Sequence, residues 1–315
     1  MPGNVTAVPT VTLPDPSWVC DVGPIGDLQL RSWDLSDDLT DPTVEVVVTP
    51  IGGRSRLARL AGLPSLKVVQ VVTAGYDHAL GHLPRGVTLC NAAGVHDTST
   101  AEFAVALILA AQRGIPEFVL AQQRRAWIAH RAWPALGDRR VLIIGYGRIG
   151  RALAARLAPF EVSLTVVASR PREGDEFVER VHGFDELPWL LPRQDIVVLL
   201  TPLTDSTRRM VDAAFLAALP DGALVVNIAR GPVVDTDALL AETASGRLRA
   251  ALDVTDPEPL PPEHPLWSAP GVLIAPHVGG AGDTFRPRMV ALLREQLTRY
   301  AEGGPLLHVV AGPGA

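Results

Sequence analysis

Residues 141–157 read VLIIGYGRIGRALAARL. The apolar run Val141–Ile144 predicts a strand, and the Ala/Leu/Arg stretch beyond Gly150 predicts a helix. Between them stands Gly145-x-Gly147-x-x-Gly150. Glycines cluster in many turns, so the spacing alone is weak, and a plain strand–helix turn is the competing reading. The strand–turn–helix context is what a dinucleotide-binding turn requires. In such a turn Gly145 permits the sharp bend, Gly147 lets backbone approach a pyrophosphate, and Gly150 lets the helix pack close to the strand. The helix N-terminus then offers unpaired N–H groups and the positive end of its dipole, with Arg148 and Ile149 in the same turn.

The pattern outside this stretch agrees. Short β-branched runs alternate with helical stretches along the chain, which predicts an α/β fold with parallel sheets. Strands are expected near Val11–Leu13, Leu28–Trp33, Val44–Thr49, Val68–Thr73 and Val87–Cys90. After the glycine turn they are expected near Leu164–Ala168, Ile196–Leu200, Leu224–Ile228, Ala250–Asp253 and Val272–Ala275. Helices are expected at Ser55–Ala61, from Thr98 to Gly114, from Pro116 to about Ile128, and at Thr284–Ala301. A short or missing helix is expected between the first two strands, and GGPLLHVVAGPGA reads as a Gly/Pro tail after the last helix.

Composition narrows the chemistry. The chain has 315 residues, enough for about two domains. With 47% hydrophobic and 20% charged residues it can bury large cores. A net charge of −6 argues against a nucleic-acid binder. Lys67 is the only lysine and stands outside any glycine loop, which removes a Walker A reading. Tyr76, Tyr146 and Tyr300 lack a lysine four residues on, which removes the Tyr-x-x-x-Lys arrangement of short-chain dehydrogenases. Cys20 and Cys90 match no metal or redox spacing. The N-terminus lacks the basic and apolar regions of a leader, so a cytoplasmic protein is expected and the Asn4-Val5-Thr6 sequon is read as chance. The longest apolar run, Phe103–Ala111, is about half of what spans a bilayer.

Three later segments each follow a predicted strand: NIARG at Asn227–Gly231, DVTDPEPLP at Asp253–Pro261, and APHVGG at Ala275–Gly280. In a doubly wound sheet, loops at the carboxyl ends of strands gather at one crevice. They offer Arg230, Glu258 and His277, a set suited to reducing a 2-oxo acid. Arg230 grips the carboxylate, His277 donates a proton as hydride arrives, and Glu258 orients the imidazole and stabilises its charged form. The strand LTVVA ends at Ala168-Ser169-Arg170, without the carboxylate that binds a ribose 2′-OH in NAD sites. Ser169, Arg170 and Arg172 suit a 2′-phosphate instead, so NADP(H) is expected over NAD(H), with NAD(H) still accommodated.

Together these motifs, with VVTAGYDH, TAEFAVALIL, LTPLTDSTR and HPLW, resemble the D-isomer-specific 2-hydroxyacid dehydrogenases, glyoxylate/hydroxypyruvate reductases among them. The resemblance implies two Rossmann-like domains. A doubly wound parallel-sheet dinucleotide domain, residues 95–282, is inserted in a flavodoxin-like substrate domain of residues 1–94 and 283–315. It implies a homodimer that acts on small 2-oxo or 2-hydroxy acids without a metal. By the same resemblance Ala74 and Gly75 hold the substrate carboxylate, with Arg230 and His277. Thr100, Thr201, Pro202, Thr207, Ile228, Ala229, Asp253, Gly279 and Gly280 join the glycine turn and His277 around the cofactor, Asp253 on the nicotinamide carboxamide. Glyoxylate and hydroxypyruvate are the favoured substrates. D-lactate-type or bulkier 2-oxo acids, and a non-catalytic nicotinamide sensor of the same fold, are the alternatives. Formate dehydrogenases carry Gln at the place of Glu258, and phosphite dehydrogenases carry a Lys in the loop matching Val72–Gly75. Trp133 is read either as reaching a partner's site or as interface packing. Trp18, Trp33 and Trp189 are read as core or interface, and Trp267 as a candidate pocket cover. His78 and His82, four apart, are weighed as a metal pair and set aside for want of a third ligand.

Overall fold

The computed structural model describes residues 8–315. The Asn4-Val5-Thr6 sequon and the first residues read for a leader lie outside them. The chain divides into two compact units: Met1–His96 with Asp283–Ala315, and Asp97–Gly282.

In the second unit eight strands form one sheet. Its order is Val272–Ile274, Arg249–Leu252, Leu224–Asn227, Ile196–Leu199, Arg140–Ile144, Ser163–Val167, Arg180–His182, Arg172–Glu173. All neighbours are parallel except the last pair. The chain runs outward in one direction from Arg140–Ile144, then returns beside it with Ile196–Leu199 and continues the other way. That reversal is the switch point where doubly wound sheets bind ligands. The central strands are apolar throughout because helices cover both faces. Leu142 and Ile144 enter one core with Leu199 and Val225, while Val141 and Ile143 enter the other with Val198 and Val226. This two-residue alternation buries each side chain, worth roughly 1.5–3 kcal/mol apiece. The helix Asp97–Arg113 buries Ala101, Ala104, Leu107 and Ile108 in the second core, beside Leu153 and Leu157 of the helix Arg148–Leu157.

Among the described residues the first unit has six strands in the order Val309–Ala311, Thr88–Cys90, Val68–Gln70, Val44–Val48, Thr10–Leu13, Gln29–Ser32. The architecture is α/β, with a Rossmann-like sheet in each unit. Among the described residues no single helix is long and apolar enough to cross a membrane. Asp97–Arg113 and Ile115–Gln123 pass that test only as a pair bent by 67°.

Several sequence expectations move. The stretch expected as a helix at Ser55–Ala61 is a 3₁₀ helix, Arg54–Gly62. The helix Ile115–Gln123 stops well before Ile128, where Arg125 takes a left-handed φ of 54° and Ala126 N–H bonds Ala121 O at 2.9 Å. The Gly/Pro tail carries a strand. Val309–Ala311 adds an antiparallel edge strand, and Gln296 fixes it by accepting from Leu307 N (2.7 Å) and donating to Leu307 O (3.0 Å). The hairpin of Arg172–Glu173 with Arg180–His182 has no counterpart among the expected strands. Trp18 and Trp33 are buried, but Trp189, expected in a core or interface, is 80% exposed. His78 lies in the four-residue helix Asp77–Leu80 and His82 beyond it, so the pair does not share a helix face.

Candidate active site

The loops after three neighbouring strands of the second unit carry the charged set. The strand Leu224–Asn227 ends in a buried Asn227, whose Oδ1 accepts from Ala229 N (3.0 Å) and whose Nδ2 donates to Arg230 O (3.1 Å). One amide therefore folds the turn that presents Arg230. The next residue must be glycine: a Cβ on Gly231 would stand 1.8 Å from Thr255 O. The Arg230 turn and the Asp253–Glu258 loop thus meet backbone to backbone, and Thr236 Oγ1 donates to Asp256 O (2.8 Å) across the same seam.

Asp253 organises the third loop. It is buried at the end of the strand Arg249–Leu252, and its backbone O accepts from His277 N (2.8 Å). Its carboxylate accepts from Val278 N (2.7 Å) and Gly279 N (2.9 Å), a charge-assisted pair. These bonds hold His277 at φ 56°, a left-handed conformation that costs a non-glycine residue about 1–2 kcal/mol. So held, His277 Nδ1 lies 2.7 Å from Glu258 Oε1, and both side chains are about one-third exposed, at 34% and 36%. An ionised carboxylate only accepts, so the Nδ1 proton faces Glu258 and Nε2 is left for other chemistry. Asp253 was expected at a nicotinamide carboxamide; its carboxylate is engaged with the His277 loop. Ile228, Ala229 and Gly279 are buried around this set, and Gly280 half-buried.

The glycine turn lies at the switch point. Gly145 has φ 109°, and a Cβ there would meet Leu200 C at 2.5 Å, so only glycine fits. Nothing lies within 4 Å of where a Cβ on Gly147 would stand. Gly147 caps the ten-residue helix Arg148–Leu157 without a side-chain hydrogen bond. Beside it Thr201 is buried, and its Oγ1 has no hydrogen-bond partner. An open cradle at a helix N-terminus and an orphaned hydroxyl fit a phosphate-bearing ligand. Thr207 closes the adjoining loop, donating to Pro202 O (2.6 Å) and accepting from Thr204 N (2.8 Å). Arg148 Nε pairs with Asp97 at 2.9 Å, Ile149 is half-buried, and Thr100 is buried in the helix Asp97–Arg113.

Ser169 and Arg170 are exposed just beyond the strand Ser163–Val167. Arg172 reaches the glycine turn instead, donating from Nη2 to Tyr146 O at 2.7 Å. Tyr146 is buried and its phenol donates to Asp175. Burial first, and the hydrogen bond to Asp175 second, push that phenol well above its ordinary pKa and keep it a neutral donor.

Ala74 and Gly75 belong to the other unit. Their carbonyls accept from Asn91 Nδ2 (2.6 Å) and Thr73 Oγ1 (2.7 Å), which fixes the peptide planes of that loop. Trp133 packs edge-on to Phe118 (5.1 Å) beneath Arg131 (3.8 Å), and Trp267 is half-exposed with Nε1 on Pro261 O. Among the described residues no three His, Cys, Asp or Glu side chains group to hold a metal.

Sequence reasoning finds Arg230, Glu258 and His277 but not Asn227, Gly231 or Tyr146. A polar amide closing an otherwise apolar strand, and a glycine directly after an arginine, are the available signals.

Comparison with known proteins places these loops in context. The family model for "D-isomer specific 2-hydroxyacid dehydrogenase, NAD binding domain" matches residues 105–279. The glyoxylate reductase/hydroxypyruvate reductase of Homo sapiens is 33% identical over 296 residues, covering 89% of this chain and 90% of that one. A D-isomer specific 2-hydroxyacid dehydrogenase of Xanthobacter autotrophicus, solved with NADPH and MES, superposes with a TM-score of 0.81 at 32% identity. It covers 96% of this chain and 98% of its own. An NADPH-dependent glyoxylate/hydroxypyruvate reductase of Sinorhizobium meliloti, solved with NADP and malonate, gives 0.78 at 27% identity, covering 96% and 97%.

Proposed function

The chain belongs to the D-isomer-specific 2-hydroxyacid dehydrogenases, a family of NAD(P)-dependent oxidoreductases, and from that premise we propose that it reduces a small 2-oxo acid to the D-2-hydroxy acid with NADPH. Glyoxylate and hydroxypyruvate are the substrates we assign, supported by the names of the Homo sapiens and Sinorhizobium meliloti relatives.

The observation that carries the reading is the His277–Glu258 pair at 2.7 Å, on a loop that follows the strand next to the one preceding Glu258. Glu258 accepts the hydrogen bond from Nδ1–H and fixes the ring, so Nε2 is the nitrogen that delivers a proton to the substrate's carbonyl oxygen. Arg230, on the adjacent turn, grips the substrate carboxylate with its fork of N–H donors and polarises the neighbouring carbonyl. Gly145, Gly147, Arg148, Ile149 and Gly150 hold the pyrophosphate at the helix N-terminus, with Thr201 beside them. The bound reduced nicotinamide supplies the hydride. Ser169 and Arg170, with no carboxylate at that strand end, support recognition of a 2′-phosphate.

A 340 nm assay with NADPH and NADH in parallel, over glyoxylate, hydroxypyruvate, pyruvate, 2-oxobutyrate and phenylpyruvate, tests this. Rapid NADPH oxidation with glyoxylate or hydroxypyruvate is expected. A higher kcat/KM with NADH breaks the cofactor assignment, and preference for phenylpyruvate breaks the substrate one. We also assign a homodimer. Ile115, Phe118, Val119, Leu120 and Trp127 are exposed apolar side chains close together in sequence, which supports burial against a second copy. A monomer in light scattering at micromolar concentration removes that assignment.

A further inference from the structure

The side chain of Arg172 spans two parts of the second unit. Its backbone lies two residues beyond Arg170, and its guanidinium lies on the glycine turn. Nη2 donates to Tyr146 O at 2.7 Å, between Gly145 and Gly147, and Nη1 leans on Arg170 O at 3.4 Å. The guanidinium carbon is 5.9 Å from the Tyr146 ring centre. Tyr146 is tied to the same hairpin a second time, since its phenol donates to both oxygens of Asp175 at 3.0 and 2.9 Å. Asp175 is itself placed by its hairpin: its Oδ1 accepts from Phe177 N (3.0 Å) and its N–H bonds Val178 O (2.9 Å). A third tie comes from the helix that the glycine turn opens, where Arg151 meets Asp175 at 3.3 Å and Glu176 at 2.7 Å. Composition alone would class Arg172 with Arg170 as a phosphate ligand. Its donors point to backbone instead.

We propose that Arg172 is a positioning residue: with Tyr146 and Asp175 it forms a strut that holds the glycine turn and the Ser169–Arg170 stretch at one fixed spacing. It acts on the pyrophosphate and ribose ends of the dinucleotide together and does not choose between 2′-phosphate and 2′-hydroxyl. That choice falls to Ser169 and Arg170. The inference rests on the nicotinamide reading above. A flexible turn must be ordered when the dinucleotide binds, and a strut that has ordered it already removes that cost from both cofactors equally.

The test is calorimetric titration of the full chain with NADPH and NADH, without substrate, alongside thermal melts. Arg172→Ala is expected to raise both dissociation constants by about 10- to 100-fold, the size of one charge-assisted hydrogen bond, and to leave their ratio unchanged. Arg172→Lys, which restores one donor, recovers part of the loss. Asp175→Asn moves both constants the same way by less. Arg170→Ala raises only the NADPH constant. Loss confined to NADPH in Arg172→Ala makes Arg172 a phosphate ligand and overturns the strut. So does wild-type affinity in Arg172→Ala, or a lowered melting temperature with unchanged affinities. If Arg172→Ala fails to fold, Asp175→Asn with wild-type affinities overturns it. A wild-type chain that binds neither dinucleotide overturns the cofactor reading, and the strut with it.

Discussion

The two rims of the eight-stranded sheet use the same residue types in opposite ways. At the carboxyl ends of the strands, the His277–Glu258 pair is one-third exposed and Arg230 is presented on a turn. At the amino ends, arginines are bonded into the framework. Arg140 meets Asp195 through Nε and Nη2 at 3.0 and 2.8 Å. Arg247 bonds Glu242 and the carbonyls of Leu216 (2.7 Å) and Leu219 (2.8 Å). Arg249 reaches Gln112 (2.6 Å) and Gly222 O (3.1 Å). The seven parallel strands point their carboxyl ends one way, so one rim gathers loops while the other receives helix ends and their carbonyls. The candidate catalytic side chains therefore gather at one rim, and Arg140, Arg247 and Arg249 staple the other.

The largest effect expected from this division is at His277. Replacing it with Ala should lower kcat about 10²- to 10⁴-fold while the NADPH dissociation constant holds. A variant that turns over normally removes the proton-donor assignment. Asp253 and Arg172 cut across this division, as staples at the carboxyl ends of the strands. Asp253→Asn turns a donor toward Val278 N or Gly279 N, so it should cost about 1–3 kcal/mol of stability and also lower kcat about 10- to 100-fold. Steady-state kinetics with urea unfolding reads both, and a loss of stability alone would separate the His277 loop from catalysis. Arg247→Ala should show the reverse split. Two helix-end carbonyls lose their donor, stability falls about 1–3 kcal/mol, and kcat stays at the wild-type value. A matching fall in kcat would mean the rims are coupled.

Much of this division is legible in the amino-acid sequence. The central strands are readable to within a residue or so because fully buried parallel strands are uninterrupted β-branched runs. The glycine turn and the Arg230, Glu258, His277 set are readable as motifs after strands. The hairpin at Arg172–Glu173 and Arg180–His182 is not, because its strands are two and three residues long and charged, and they form by pairing at a sheet edge. The edge strand Val309–Ala311 hides between Gly and Pro, since what fixes it is Gln296, a helix away. Nor does sequence separate a staple such as Arg140 from an arginine presented on a turn such as Arg230. In a chain whose cations are almost all arginine, what each guanidinium meets decides its role, and that is set by topology.

The smallest effect belongs to Asp195, at the amino rim, and it is a pH effect. Hydrogen bonds from Arg140, then its charge, hold the Asp195 carboxyl below its ordinary value of 3.8. A carboxylate whose folded pKa is depressed adds stability above its unfolded pKa, and that contribution disappears as pH falls through the folded value. Arg140 is half exposed, so screening trims the contribution to about 1 kcal/mol or less. Asp195→Asn should therefore be slightly less stable than the wild type in urea at pH 7, and the gap should close as pH drops below about 4. Reduction kinetics should not change. A gap that persists into acid would mean the geometry of the bonds, rather than the charge, does the stapling; a fall in kcat would mean that even the far ends of these strands govern the reactive rim.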